Sequence, residues 1–176
     1  MRVISGEFGG RTLVAPRGRS TRPTSDRVRE ALFSILEPVA GASVLDLFAG
    51  SGALAIEALS RGAAAATLVD SSRAAVAAIE RNLAALGLQA EVRGQTAAAF
   101  LGAARVRPRQ YDLVFLDPPY RHTSELAGML SAALPPVLAP GARVIAEGDR
   151  RAPLSLELPL LDERRYGDTL IRIYGP

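Results

Sequence analysis

Short apolar runs alternate with amphipathic stretches along most of the chain, and this alternation predicts the order of its secondary structure. Apolar runs bounded by turn residues are typical of buried strands, whereas longer segments with apolar residues three and four positions apart are typical of helices. From residue 43 onward, strands are predicted over 43–47, 66–70, 90–93, 111–117 and 142–147, and helices over 52–61, 72–86, 96–104 and 123–133. This alternation favours a parallel sheet with helices on both faces.

The amino-terminal end departs from the alternation. Residues 2–4 and 12–14 are predicted to form a hairpin around a glycine-rich turn, and a polar loop punctuated by Pro and Gly follows. A helix is then predicted over 26–37, with Thr24 or Ser25 as its cap. The apolar face of that helix comprises Val28, Ala31, Leu32 and Ile35.

The carboxyl-terminal end also differs, because 154–163 and 169–174 look like two strands joined by a tight turn. Such a pair predicts one antiparallel edge strand. We therefore predict an α/β, Rossmann-like fold with a seven-stranded, mostly parallel sheet. We divide it into a basic arm over 1–22, which includes the hairpin, and a main domain over 23–176.

Composition excludes several kinds of chemistry. The chain has 176 residues, no cysteine and one histidine, His122. Disulfides, thiolate metal sites and a cysteine nucleophile are therefore excluded, and we expect no metal. We interpret His122 as a loop residue rather than a catalytic group. No apolar run has the length of a membrane span and no signal peptide is visible, so we expect a cytoplasmic protein. We separately expect it to be a monomer.

Positive charge is concentrated at the amino-terminal end. Every one of the 21 basic residues is arginine, which by itself fits a GC-rich genome. Residues 1–29, however, carry seven arginines and two acidic residues. This excess favours an arm that touches a polyanion such as RNA, with an ordinary solvated arm as the alternative. The candidate RNA-binding residues are Arg11, Arg17, Arg19, Arg22 and Arg27.

A glycine-rich turn after the first strand predicts a nucleotide site. Gly50 and Gly52 let the backbone turn tightly just before a helix begins, and Asp70 ends the second strand 20 residues later, where an acid commonly accepts bonds from ribose hydroxyls. The third glycine of a dinucleotide site is missing. Asp46 would repel a pyrophosphate but suits the ammonium and sulfonium groups of S-adenosylmethionine. We therefore favour that methyl donor over NAD, with a turn-capping role for Asp46 and an ordinary strand-end role for Asp70 as alternatives.

The tetrapeptide Asp117-Pro118-Pro119-Tyr120 is the most specific motif, and it follows the most apolar strand. An exocyclic amine of a nucleobase is a poor nucleophile because its lone pair is delocalised into the ring. The Asp117 carboxylate and the Pro118 carbonyl can accept its two N–H bonds and direct the lone pair toward a methyl donor. The prolines fix the backbone and offer no competing N–H. Tyr120 can stack on a base taken out of its helix.

With these residues in place, nearly the whole chain resembles the bacterial 16S ribosomal RNA guanine-N2 methyltransferases. The matching segments are residues 4–6, 10–13, 22–33, 45–54 and 57–63, the tetrapeptide over 117–120, and 166–169. The resemblance implies a class I methyltransferase fold and transfer of a methyl group from S-adenosylmethionine to N2 of one guanine in 16S rRNA, within an assembling 30S particle. It also implies that the segment around Arg22 and Thr24 lies over the donor site and the RNA entrance.

The resemblance also suggests the remaining donor contacts. They are Phe48, Ser51, Ser71, Thr96 and Ala97, together with Thr24, and they join Asp46, Gly50, Gly52 and Asp70, which the glycine turn itself predicts. The chain departs from the family pattern after the third strand, where Gln95-Thr96-Ala97 lacks the frequent aspartate, and after the second, where Ser71-Ser72-Arg73 is plainer than usual. The short stretch after the fifth strand predicts a loop in place of the usual helix.

Two other functions remain open at this level. An adenine-N6 or other nucleobase amino methyltransferase shares the tetrapeptide, although a DNA enzyme would usually carry an added recognition domain. A noncatalytic rRNA-binding assembly factor is the alternative from another class, and the intact tetrapeptide and glycine turn argue against it.

Overall fold

A computed structural model describes residues 1–16, 25–104, 109–118 and 123–176, the last segment without the Thr123 side chain. Strands and helices alternate as predicted, and most bounds agree to within two residues. The helices are α1 (Asp26–Leu36), α2 (Ala53–Ser60), α3 (Arg73–Leu86), α4 (Ala97–Ala104) and α5 (Thr123–Ala133), with a 3-10 turn over Pro135–Val137. The strands are β1 (Ser43–Asp46), β2 (Ala65–Val69), β3 (Glu91–Arg93), β4 (Tyr111–Leu116), β5 (Leu138–Asp149), β6 (Leu160–Tyr166) and β7 (Thr169–Tyr174).

These strands form one seven-stranded sheet in the order β3-β2-β1-β4-β5-β7-β6. The first five are parallel, and β7 is antiparallel to both of its neighbours. The predicted fold class is confirmed, but the antiparallel strand is not at the edge. The chain turns sharply at Gly167, whose φ is +62°, so β7 runs back between β5 and β6. The edge strand β6 carries Asp162, Glu163, Arg164 and Arg165, and such charges discourage pairing with another sheet.

Side chains that alternate across the sheet divide the core into two layers. On one face, Val44, Phe115 and Ile145 pack with α1, α2 and α3. On the other face, Leu45, Val114 and Val144 pack with α4 and α5. Burial on both faces explains why the central strands are nearly continuous apolar runs.

The segment before β6 differs from its prediction. The strand expected from residue 154 begins only at Leu160, and residues 150–159 form no helix or strand. Leu154 and Leu156 are nevertheless buried against the second core layer. The Tyr174 hydroxyl donates to the Leu154 carbonyl at 3.0 Å. The loop predicted in place of a helix after the fifth strand is therefore confirmed.

The described part of the arm, residues 1–16, is fixed to the main core. Arg2 and Thr12 form an isolated antiparallel bridge. The predicted hairpin is therefore present, but as a single bridge rather than as a pair of strands. Val3 and Leu13 lie in the same core layer as α1, α2 and α3. The predicted boundary between residues 22 and 23 lies outside the described residues.

One buried carboxylate, that of Glu57 on α2, holds the arm in place. It accepts hydrogen bonds from the backbone N–H groups of Ile4 at 2.7 Å and Ser5 at 3.0 Å, and from Nε of Arg61 at 2.8 Å. The Glu57 side chain is fully buried. Farther along, the Asn82 side chain exchanges two hydrogen bonds with the backbone of Val14.

Helix α1 begins at the predicted cap, because the Ser25 hydroxyl accepts a bond from the N–H of Val28. Its buried face differs from the predicted one, since Ala31 and Ile35 are only half-buried. The residues that are buried are Val28, Arg29, Leu32, Phe33 and Leu36. Nη2 of the buried Arg29 donates to the Arg2 carbonyl at 2.6 Å and to Asp26 at 2.7 Å, which ties the arm to this helix.

Candidate active site

The site lies where β1, β2, β4 and β5 reach the same edge of the sheet. All four strands run parallel, so their carboxyl ends meet there. From β1 the chain builds β2 and β3 on one side of this strand, and it then crosses over to build β4 and β5 on the other side. Such a switch point is the usual ligand crevice of an open α/β sheet.

The glycine turn after β1 has the geometry predicted for it. Gly50 and Gly52 have φ angles of +56° and +79°, which residues with a side chain rarely adopt. A Cβ on Gly52 would also lie 2.9 Å from Cδ2 of Leu68. Helix α2 begins at this turn, and Gly52 provides no side-chain cap. Asp46 accepts the N–H of Ala55 in the first turn of α2, so an acceptor on a ligand would meet the N–H groups that precede Ala55.

Two acidic side chains support this turn. Asp70 accepts hydrogen bonds from the N–H groups of Gly50 at 2.9 Å and Ser72 at 2.8 Å, so it joins the ends of β1 and β2. Asp46 is buried and accepts bonds from backbone N–H groups of Phe48 and Ala55. It therefore has the contacts of a turn cap, the alternative that its position in the sequence also allowed.

The pKa of Asp46 follows from this location. The pKa of Asp46 is raised from 3.8 to about 7: burial is the largest cause, the two backbone hydrogen bonds oppose it, and the charge of Asp70 adds to it. A buried carboxylate with a raised pKa gains from a nearby cation, because the cation stabilises its ionised form. A bound ammonium or sulfonium group would be such a cation and would stabilise the ionised form of Asp46.

Asp117 and Pro118 follow β4 at the same edge. Pro118 is buried, and Asp117 keeps partial contact with solvent although protein surrounds its carboxyl. Burial is the largest cause that raises the pKa of Asp117 well above its ordinary value, followed by the negative charges of Glu147 and Asp46. The glycine turn and the acid of the tetrapeptide therefore belong to one electrostatic site.

Glu147 of β5 is a residue of this site that the sequence analysis missed. It is 5% exposed. In the parallel pairing of β4 with β5, Leu116 is opposite Ala146, so Asp117 and Glu147 follow side by side. The available signal was an acid at the end of an apolar strand, but its meaning depends on β5 lying next to β4.

Comparison with known proteins gives consistent matches. The family model described as "Conserved hypothetical protein 95" matches residues 1–175. The chain belongs to this family. "Ribosomal RNA small subunit methyltransferase D" of Escherichia coli K12 is 48% identical over 69% of this chain and 61% of its own length. The protein of that name from Haemophilus influenzae is 34% identical over 99% and 93%. The solved structure of a hypothetical protein of Thermus thermophilus has a TM-score of 0.88, with 30% identity over 100% and 99%.

For this member of the family, the other predicted donor contacts lie around the same edge. Ser51 is buried, and its hydroxyl donates to the Met1 sulfur at 3.3 Å, which places the start of the arm on the glycine turn. Phe48 is half-buried and packs against the second core layer, and Ser71 is exposed after β2. The Thr96 hydroxyl accepts the N–H of Ala99 at 3.2 Å and so caps α4, while Ala97 is buried.

Several predicted site residues lie outside the described residues. They are Pro119 and Tyr120 of the tetrapeptide, Thr24 of the donor site, and Arg17, Arg19 and Arg22 of the RNA-binding set. The other two arginines of that set, Arg11 and Arg27, are both exposed. Within the described ranges, no group of three or more acidic or histidine side chains has an arrangement that would hold a metal ion. No helix in those ranges is both long enough and apolar enough to span a bilayer.

Proposed function

We propose that this protein transfers a methyl group from S-adenosylmethionine to the exocyclic N2 of a guanine in small-subunit ribosomal RNA. One observation carries the proposal. The glycine turn after β1 and the Asp117-Pro118 pair after β4 lie at the ends of adjacent parallel strands, so a donor and an acceptor base can meet between them. The names of the relatives, which are ribosomal RNA small subunit methyltransferases, support rRNA as the substrate. We infer that the protein acts in the cytoplasm, as a monomer, on an assembling 30S particle.

The residues around the glycine turn fit the donor. S-adenosylmethionine supplies a methyl group on a positively charged sulfur. Gly50 and Gly52 allow close approach of the backbone, and the first N–H groups of α2 can receive an anionic group. Asp46 balances the positive charges, and Asp70 has lone pairs for ribose hydroxyls beyond those used by Gly50 and Ser72.

The residues after β4 orient the amine. The Asp117 carboxylate and the Pro118 carbonyl accept its two N–H bonds, which fixes the direction of the nitrogen lone pair. Tyr120 stacks on the flipped base, and the segment around Arg22 and Thr24 covers the donor. The donor's methyl group is already activated by its charge, so orientation and electrostatics suffice for the transfer.

Mapping the modified nucleotide tests the proposal directly. Small-subunit rRNA from cells without this protein is expected to lack one N2-methylguanine, which mass spectrometry locates. Adding the purified protein and donor to that rRNA, or to 30S particles that contain it, is expected to restore the modification. Unchanged N2-methylguanine in the deletion strain, or a methyl group restored on another atom, contradicts the assignment.

Asp70→Ala is expected to weaken donor binding. The substitution removes two backbone hydrogen bonds at the turn and the proposed ribose contact, and the loss is expected to be about 1–3 kcal/mol, roughly 5- to 150-fold in Kd. Isothermal titration with the donor measures it. Asp112→Ala is the matched control, because Asp112 also accepts a backbone N–H, that of Ser43 at 2.7 Å, but at the opposite edge of the sheet. Equal donor affinity in Asp70→Ala and the wild type would remove Asp70 from the donor site.

Replacing Arg11 and Arg27 with Gln is expected to weaken RNA binding without changing donor binding. The slope of log K against log salt is negative, and each lost phosphate contact is expected to make it shallower by about 0.7–0.9. Binding to small-subunit rRNA at several salt concentrations measures this slope. Arg165→Gln on β6 is the control, because its side chain is 75% exposed at the far edge of the sheet. A slope equal to that of the wild type would show that these two arginines do not contact phosphate.

A further inference from the structure

Glu147 and Asp117 place two carboxylates next to each other on one face of the sheet. They lie two residues beyond Ile145 and Phe115, and both of these side chains belong to the core layer under α1, α2 and α3. Glu147 is also directly opposite Ile171 in the pairing of β5 with β7. Adjacent strands are about 4.8 Å apart, so two side chains that follow side by side on one face can both reach the same small ring.

This pair of acids is unfavourable for the fold by itself. Glu147 is buried in an apolar stretch of β5, where Val144, Ile145 and Ala146 precede it. Its negative charge also makes ionisation of Asp117 harder. A ligand with several N–H donors would offset that cost, because hydrogen bonds to the charged forms stabilise them. A carboxylate has about four lone-pair sites, so Glu147 can accept from a ligand in addition to its bonds within the protein.

The Watson–Crick edge of guanine has that pattern of donors. Its N1–H lies directly beside the amine at C2, whereas adenine has a bare N1 acceptor beside its amine. The two acceptors Asp117 and Pro118 recognise any amino group, so they do not distinguish these bases. An acidic neighbour of Asp117 would attract N1–H and repel the lone pair of a bare N1.

We propose that Glu147 accepts the hydrogen bond from N1–H of the target guanine and thereby selects guanine over bases that lack this hydrogen. The inference rests on the proposed function, since it assigns the base choice of the same site. It makes Glu147 a specificity-determining residue that touches the substrate, on a strand that carries no part of the tetrapeptide.

A base analogue separates this role from a structural one. 2-Aminopurine keeps the amine at C2 but has a bare N1, so it offers the reacting group without the proposed contact. The substrate is 16S rRNA ligated so that the mapped position carries either guanine or 2-aminopurine. Wild-type protein is expected to prefer guanine by at least about tenfold in kcat/KM.

Glu147→Gln is expected to change that preference. The amide group donates a hydrogen bond to a bare N1 and loses the charged acceptor, so the ratio of guanine to 2-aminopurine activity is expected to fall at least about tenfold. Donor affinity, measured by calorimetry, is expected to stay within about twofold, because the donor binds at the β1 turn. Glu157→Gln is the control, since Glu157 is an exposed acid in the loop between β5 and β6.

A second variant covers the case in which Glu147→Gln does not fold. Glu147→Asp keeps the charge but shortens the side chain, and it is expected to lose guanine activity without gaining 2-aminopurine activity. An equal loss on both bases in either folded variant overturns the proposal, because a structural role has that signature. An unchanged ratio overturns it as well. Failure of the proposed function is distinguishable, since wild-type protein would then leave guanine N2 in rRNA unmethylated.

Discussion

Asp117→Ala is expected to reduce methyl transfer by about 10²–10³-fold or more while donor affinity stays within about twofold. The carboxylate is a preorganised acceptor for the amine, and loss of one such group commonly costs that much in kcat. Donor binding depends instead on the glycine turn after β1. Single-turnover methylation of rRNA and calorimetric titration of the donor measure the two effects separately.

Two variants make this result interpretable. Asp117→Asn keeps one oxygen acceptor without the charge, so its activity is expected to lie between those of Asp117→Ala and the wild type. Asp112→Ala is the control from the opposite end of the same strand, where Asp112 accepts the N–H of Ser43 at 2.7 Å. Activity of Asp117→Ala near that of Asp112→Ala would refute the role of Asp117 as acceptor.

Glu57→Ala is expected to lower the free energy of unfolding by about 3–5 kcal/mol, the range for removing one partner of a buried ion pair. The substitution leaves Nε of Arg61 and the N–H groups of Ile4 and Ser5 without their carboxylate. These backbone groups are at the start of the arm, so the arm is expected to detach first. Urea unfolding gives the change in stability, and hydrogen exchange locates the lost protection.

A second acid on the same arginine is the control for this change. Glu37 pairs with Nη1 of Arg61 at 2.9 Å, but its side chain is 59% exposed. Glu37→Ala is therefore expected to cost about 1 kcal/mol or less. Similar costs for both variants would mean that the buried carboxylate of Glu57 is not what holds the arm.

The strands and helices were largely predictable, because their periodicity is local. Burial on both faces makes β1, β2, β4 and β5 apolar runs, and glycines end α2 and α3. The start of β6 was not predictable in the same way. The alternation in 154–158 looks like a strand, but its leucines cover the second core layer where many related folds place a helix. The position of β7 likewise depends on pairing across the sheet, which a single segment does not encode.

The candidate site was predictable where one short segment carries the chemistry, as in the glycine turn and at Asp117. It was not predictable where the role depends on packing. Glu57 lies on a short helix and resembles an ordinary solvated acid, yet it binds the arm. Glu147 becomes a neighbour of Asp117 only through the order of the strands. The arm was predicted as a basic segment that touches RNA, but its Val3 and Leu13 belong to the core, which its charge pattern did not indicate.

The anchoring of the arm also has a consequence for how the chain acquires its structure during synthesis. Ile4 is made long before its acceptor, Glu57, which is 53 positions later, and the acceptor for Val14 is 68 positions later. The arm therefore completes its docking only after α3 has left the ribosome. Contacts of such long sequence separation form slowly. Until the arm docks, Val3 and Leu13 are apolar residues without their core partners, and a chaperone that binds apolar segments could hold them on the nascent chain.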